Sequence, residues 1–191
     1  MNRTIRPAAA IAAAVAAAGA VALAVPALSS GHATVSALQP QGPSLTGARG
    51  TFVVRAPNET PAQNTWKIVL YVPGQIQESF SVRQSPDWKI RLQREDTGRK
   101  GEGGSAIYAI KRVSWTARNA AAEIEPGMFG EWAARWVNPV TPSKLCFGIA
   151  QYYRNANGSR KKPEIVNWTG DPATAEHPRS CIDVAATPPK S

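Results

Sequence analysis

Apolar residues recur at every second position along most of this chain, and that period limits it to a fold whose strands each bury one face. Trp66, Ile68, Leu70 and Val72 interleave with Thr65, Lys67, Val69 and Tyr71, and Trp88, Ile90 and Leu92 alternate with Lys89, Arg91 and Gln93. Val113, Trp115 and Ala117 share one face. Trp132, Ala134 and Trp136 share another, opposite Glu131 and Arg135, and Leu145, Phe147 and Ile149 continue the pattern. Turn signals separate these runs at Pro57-Asn58, Pro73-Gly74, Ser85-Pro86-Asp87, Gly101 to Gly104, Pro126-Gly127 and Asn138-Pro139,. Short strands at this spacing predict an all-β domain, an immunoglobulin- or fibronectin-like antiparallel β-sandwich. Only Asn119 to Glu123 reads as a helical turn, and Gly101 to Gly104 reads as a hairpin tip.

The start of the chain obeys a different rule. Arg3 and Arg6 precede an apolar run from Ala8 to Val25, the order of an export signal's charged and hydrophobic regions. At roughly 18 residues the run also approaches the shortest membrane span, but Pro26 and the small residues after it, with no basic stop-transfer cluster, favour cleavage. Three cuts satisfy the small-residue rule. One falls after Ala27, one after Gly31, which frees His32 as the first residue, and one after Ala33, which discards that histidine. The expected organisation is a signal peptide over 1–31, one domain over 32–184 and a disordered tail over 185–191. The product is expected to be secreted or periplasmic.

Taking Arg3 and Arg6 from the 22 basic residues leaves 20 against 13 acidic ones, a formal +7 for the mature chain. Such a balance suits anionic partners of the cell envelope. Nucleic acid is not expected, because the compartment is wrong and the charges are scattered. The one dense cluster, Arg160 to Lys162, follows Asn157-Gly158-Ser159 and reads as a solvated loop. Cys146 and Cys181 are an even count in an oxidising compartment, which predicts a disulfide, with paired metal ligation as the alternative.

Catalytic chemistry finds few candidates. His32 and His177 are the two histidines of the chain, no nucleophile-elbow pattern flanks a serine, and Gly101 to Gly104 lacks the lysine and helix of a phosphate loop. Glu59, Glu131 and Glu164 are carboxylates without an evident pairing. The sharper possibility is His32 at a mature N-terminus, where the α-amine and the imidazole Nδ1 close a six-membered chelate on one metal ion. Nitrogen donors of that kind suit Cu(II). Met128 is the single methionine besides the initiator, so soft Cu(I) is less well served.

Several short motifs then line up in order: His32-Ala33-Thr34-Val35-Ser36, Val54 to Glu59, Asp87-Trp88-Lys89-Ile90, Val113 to Ala117, Ile124 to Phe129, Gln151-Tyr152-Tyr153, Ile165 to Trp168, and Glu176-His177-Pro178. Over nearly the whole mature chain this resembles the YcnI-like family of bacterial secreted copper-binding domains. The resemblance implies Cu(II) as the metal, His32 as the chelating ligand, Glu59 as the carboxylate and Trp168 as the aromatic neighbour. On its own, Glu59 is equally a solvated turn residue and Trp168 equally a core tryptophan. The family pattern does not include the cysteine pair, and the basic insert around Asn157 to Lys162 lengthens the turn before Trp168. The expected function is a copper chaperone or carrier serving a membrane copper transporter or another carrier. The alternatives are a metal-free adhesion or wall-binding module and a copper oxidase or monooxygenase, in which His177 would be a second histidine ligand.

Overall fold

The computed structural model describes residues 31–38 and 44–188. Apart from Gly31, the segment expected to be the signal lies outside the described residues, as do 189–191 of the expected tail. Among the described residues no helix is long and apolar enough to cross a membrane.

Among the described residues eleven strands form two sheets. The smaller sheet has the order β1-β3-β8-β5, built from β1 (Thr34–Ala37), β3 (Arg49–Pro57), β8 (Phe129–Val137) and β5 (Ser81–Val82). The larger runs β2-β11-β9-β4-β7-β6, from β2 (Ser44–Leu45), β11 (Ser180–Ala185), β9 (Ser143–Tyr153), β4 (Thr65–Tyr71), β7 (Ala106–Ala117) and β6 (Trp88–Lys100), with β10 (Glu164–Trp168) paired to the end of β9. Every pairing is antiparallel except that of β2 with β11. The sandwich expected from the alternation is the fold observed.

Its core lies between the inward faces that the sequence pattern picks out. Trp136, fully buried, stacks on Phe52 with ring centroids 3.5 Å apart, and its indole nitrogen donates to Asn138 Oδ1 at 2.9 Å. Trp88 meets Trp132 edge-on at 5.0 Å. Rings of this size supply much of the apolar burial that holds two sheets together, and the hydrogen bond removes the cost of burying the indole N–H.

Three expectations need correction. Trp66 does not share the core face of Ile68, Leu70 and Val72: the register against β9 shifts between Thr65 and Lys67, and this bulge turns the fully buried Thr65 inward instead,. Trp66 packs on the outside, edge-on to Tyr152. The insert at Arg160 is not a wholly solvated loop. Arg160 donates to Glu123 at 2.5 Å and lies over the Trp66 ring at 5.3 Å, while Arg154 reaches the other side of the same carboxylate at 2.6 Å. Glu123 has a side chain with no exposure, so two arginines supply the charge that its burial requires,. Finally, the expected tail begins inside the sheet. Ala185 pairs with Leu45, and the Thr187 hydroxyl donates to the Thr46 carbonyl at 2.9 Å.

The helical turn at Ala120–Ala122 is present, capped by Asn119, whose side chain accepts from the Ala122 amide at 3.0 Å,. At the β6–β7 hairpin tip, Gly103 and Gly104 take φ values of 69° and 76°, a region that favours glycine,. Cys146 and Cys181 face each other across β9 and β11 and are joined, leaving no free cysteine among the described residues. A structural disulfide persists in an oxidising compartment, so the domain is extracytoplasmic.

Candidate metal centre

Glu59 follows the end of β3, where the chain must leave the sheet. Asn58, 1% exposed, fixes that exit. Its Nδ2 donates to the carbonyls of Gln63 and Ile124, both at 2.8 Å, and its Oδ1 accepts from the Thr60 amide and hydroxyl. Its backbone is tied at both ends, the N–H to Met128 and the carbonyl to Gly127, each at 2.8 Å. One residue earlier, the Pro57 carbonyl accepts from Gln151 Nε2 at 2.7 Å, and Gln151 is itself fully buried. With Asn58 locked inward, the next side chain, Glu59, points out and is exposed. Buried Asn58 and Gln151 are the positioning residues that the sequence reading missed. Both lie in the sequence motifs Val54 to Glu59 and Gln151-Tyr152-Tyr153, but burial is what distinguishes them.

His32 reaches the same end of the sandwich just ahead of β1. Thr34 pairs with Arg55 of β3, Ala33 and Val35 are buried, and the Val35 amide donates to Ser180 Oγ at 2.8 Å. The exposed His32 ring lies 5.2 Å from the Trp168 ring, tilted by 52°. The Gly31 amide donates to Glu59 Oε1. Trp168 ends β10, is 6% exposed and belongs to the core. The structure thus brings His32 against Trp168, and Glu59 against the residue before His32. Cys146 and Cys181 form the disulfide, and neither is a cation ligand.

His177 comes to this cluster from a distant loop. Its ring meets Trp168 edge-on at 4.8 Å, so both histidines of the chain contact one indole. The loop is closed by the Gly170 amide donating to the His177 carbonyl at 3.0 Å. Trp168 Nε1 and His177 Nδ1 are both buried without a hydrogen-bond partner among the described residues.

Tyr153, at the end of β9, reports the charge nearby. Burial pushes its phenol well above the ordinary value of 10.0; the Thr65 hydroxyl opposes the shift, and Glu59 and Glu164 add to it. A phenol that stays protonated in the fold but ionises in the unfolded chain stabilises the fold fully below pH 10 and loses that contribution as pH rises beyond it. Thermal melts from pH 8 to 11.5 are expected to show stability falling above pH 10, with a shallower fall in Tyr153→Phe. Parallel alkaline slopes in the two proteins would remove the buried phenol as the cause.

Among the described residues no three His, Cys, Asp or Glu side chains gather into a cluster able to hold a metal ion. The donors that do converge are of another kind: one exposed imidazole, one exposed carboxylate that already takes an N–H from this backbone, and an aromatic wall. They fit a cation if the backbone at His32 supplies an amine, which exists only after the chain is cut before that residue.

The model of a domain of unknown function, DUF1775, matches residues 32–184. Among solved structures, an uncharacterized protein from Nocardia farcinica with an immunoglobulin-like fold superposes with a TM-score of 0.61 at 22% identity, covering 81% of this chain and 98% of that one. A putative membrane anchored protein from Corynebacterium diphtheriae gives a TM-score of 0.42 at 10% identity, over 82% of this chain and 35% of that one. No curated protein matches the chain.

Proposed function

This chain belongs to the DUF1775 family, the YcnI-like domain, and we propose that it is an extracytoplasmic module that captures Cu(II) at the N-terminus freed by cleavage after Gly31. One observation carries the reading: the Glu59 carboxylate accepts from the Gly31 amide while the next residue, His32, packs on Trp168. Cleavage there turns the peptide nitrogen of His32 into an amine, within one residue of a carboxylate already directed at this backbone. Amine and Nδ1 chelate the ion, Glu59 adds oxygen and compensating negative charge, and Trp168 excludes water from one side. Such a hard, nitrogen-rich set prefers Cu(II).

Copper is cargo in this reading, carried to or from a membrane transporter or a second carrier. Reduction to Cu(I) supplies the release step, because neither thiolate nor thioether is part of the donor set. A reduced protein that retains copper as tightly as the oxidised one would overturn that step. The whole proposal is tested by the intact mass of the exported protein with and without one equivalent of Cu(II). A chain starting at His32 that gains one copper supports it. A start at Leu28 or Thr34 removes the chelate and leaves a metal-free envelope-binding sandwich as the function.

The contact of both histidine rings with Trp168 gives the oxidase reading its one specific support. Oxygen consumption by the copper-loaded protein with a reductant, abolished in His177→Ala, would favour it.

A further inference from the structure

The outward face of the larger sheet carries a pattern that copper capture does not use. Ile68, Leu70, Val113 and Trp115 point into the core, so their neighbours on the same strands point out,. Cross-strand register sets these outward residues in rows. Lys89, Thr116, Lys67 and Tyr152 stand side by side across β6, β7, β4 and β9. Arg91, Ser114 and Val69 form the next row, and Gln93, Arg112 and Tyr71 the third.

Four cations, Lys67, Lys89, Arg91 and Arg112, therefore share one face, and its rows contain no carboxylate. Several basic side chains elsewhere have carboxylate partners, among them Arg55 with Glu131, Arg99 with Glu78, Lys111 with Glu95 and Lys144 with Asp183. None of the four has a salt-bridge partner among the described residues. Lys67 Nζ lies over the Tyr152 ring at 4.6 Å, and Arg112 Nε donates to Gln93 at 2.7 Å, which orients these groups and leaves their charge uncompensated. A groove of about 380 Å³ runs among Lys67, Arg91, Arg112, Ser114 and Tyr152. The Thr116 hydroxyl thus sits between Lys89 and Lys67, and the Ser114 hydroxyl beside Arg91, a combination that recognises phosphate oxygens,.

Spacing selects the kind of anion. Lys89 and Lys67 are two strands apart, about 10 Å, and Lys89 and Arg91 are two residues apart along β6, about 6.6 Å. A single phosphate cannot reach across that array. An anion that repeats its phosphates along a chain can meet several cations at once, and the groove gives such a chain a path that a flat bilayer does not fill.

We propose that this face binds a phosphate-repeating polyanion of the envelope, independently of the copper site. The test uses the mature protein with long-chain inorganic polyphosphate, orthophosphate and vesicles of phosphatidylglycerol with phosphatidylcholine. Polyphosphate is expected to bind with strong salt dependence, and orthophosphate at equal phosphate concentration to compete poorly. The variants Lys67→Glu/Arg91→Glu and Lys89→Glu/Arg91→Glu, the second confined to exposed positions, are each expected to weaken binding by about tenfold or more. Both should keep the wild-type circular dichroism spectrum and copper stoichiometry. Absence of polyphosphate binding, variants that bind like wild type, or vesicle binding that polyphosphate fails to displace would each overturn the proposal, the last by marking the face as a membrane surface.

Discussion

Acetylating the α-amine of a chain that begins at His32 is expected to lower its Cu(II) affinity by a factor on the order of 10²–10⁴, the range gained when a second binding group is tethered beside the first. The modification leaves the imidazole, Glu59 and Trp168 untouched. It removes one nitrogen donor and the six-membered ring, so the remaining groups must hold the ion as separate ligands. A chain beginning at Leu28 should show the same loss, because His32 is then an interior residue. Glu59→Gln keeps the side chain's size and removes its charge, and should cost less than loss of the amine because the chelate survives. Competition titration against a chromophoric chelator measures all four proteins on one scale, and electron paramagnetic resonance counts the nitrogen donors. If the acetylated protein binds as tightly as the free amine form, with an unchanged spectrum, the N-terminus is not the ligand. The convergence of His32, Glu59 and Trp168 would then be packing alone.

The strand faces were legible because alternation is a local property. Trp132, Ala134 and Trp136 are buried where the period says, and Glu131 and Arg135 are exposed. What depends on a partner was not legible. The bulge that turns Trp66 outward arises from register against β9, and nothing within Thr65 to Tyr71 announces it. The charge of Arg160 was visible, but its two partners, Glu123 and Trp66, come from distant parts of the chain. Pro57-Asn58 signals a turn, whereas the buried Asn58 side chain bonds the carbonyls of Gln63 and Ile124. The same limit applies to the cationic rows. Alternation indicates that Lys67, Lys89, Arg91 and Arg112 each face outward, whereas only the register places them side by side.

For the candidate site, the division falls differently. His32 and Glu59 were singled out by chemistry and by resemblance, and the fold adds the reason that they share one end of the sandwich: β1 pairs with β3, so the start of one strand lies beside the end of the other. Trp168 arrives through β10, which pairs with the end of β9. The contact of His177 with Trp168 depends on the loop closure at Gly170, which no local pattern announces.

Replacing both cysteines, Cys146→Ala with Cys181→Ala, is expected to cost ~2–4 kcal/mol, which at about 2–4 °C per kcal/mol for a domain of this size lowers Tm by roughly 5–15 °C. The double variant is the right comparison because a single one leaves a thiol free to take copper or to dimerise. In the chain-entropy account the bond acts on the unfolded chain, in which it closes the 35-residue separation between the two cysteines,. In the folded state β11 keeps its register with β9 and β2, so the sandwich itself should survive. The effect should nevertheless reach the N-terminus. Ser180 of β11 accepts from the Val35 amide at 2.8 Å and donates to the Val35 carbonyl at 3.3 Å, so the strand that the disulfide secures also holds β1 behind His32. Hydrogen exchange should therefore quicken at Val35 more than in β7, while copper affinity at 25 °C stays close to wild type. A double variant with unchanged Tm would mean that closing this loop adds nothing to the stability of the fold. Faster exchange spread evenly over both sheets would mean that β11 does not anchor β1 selectively.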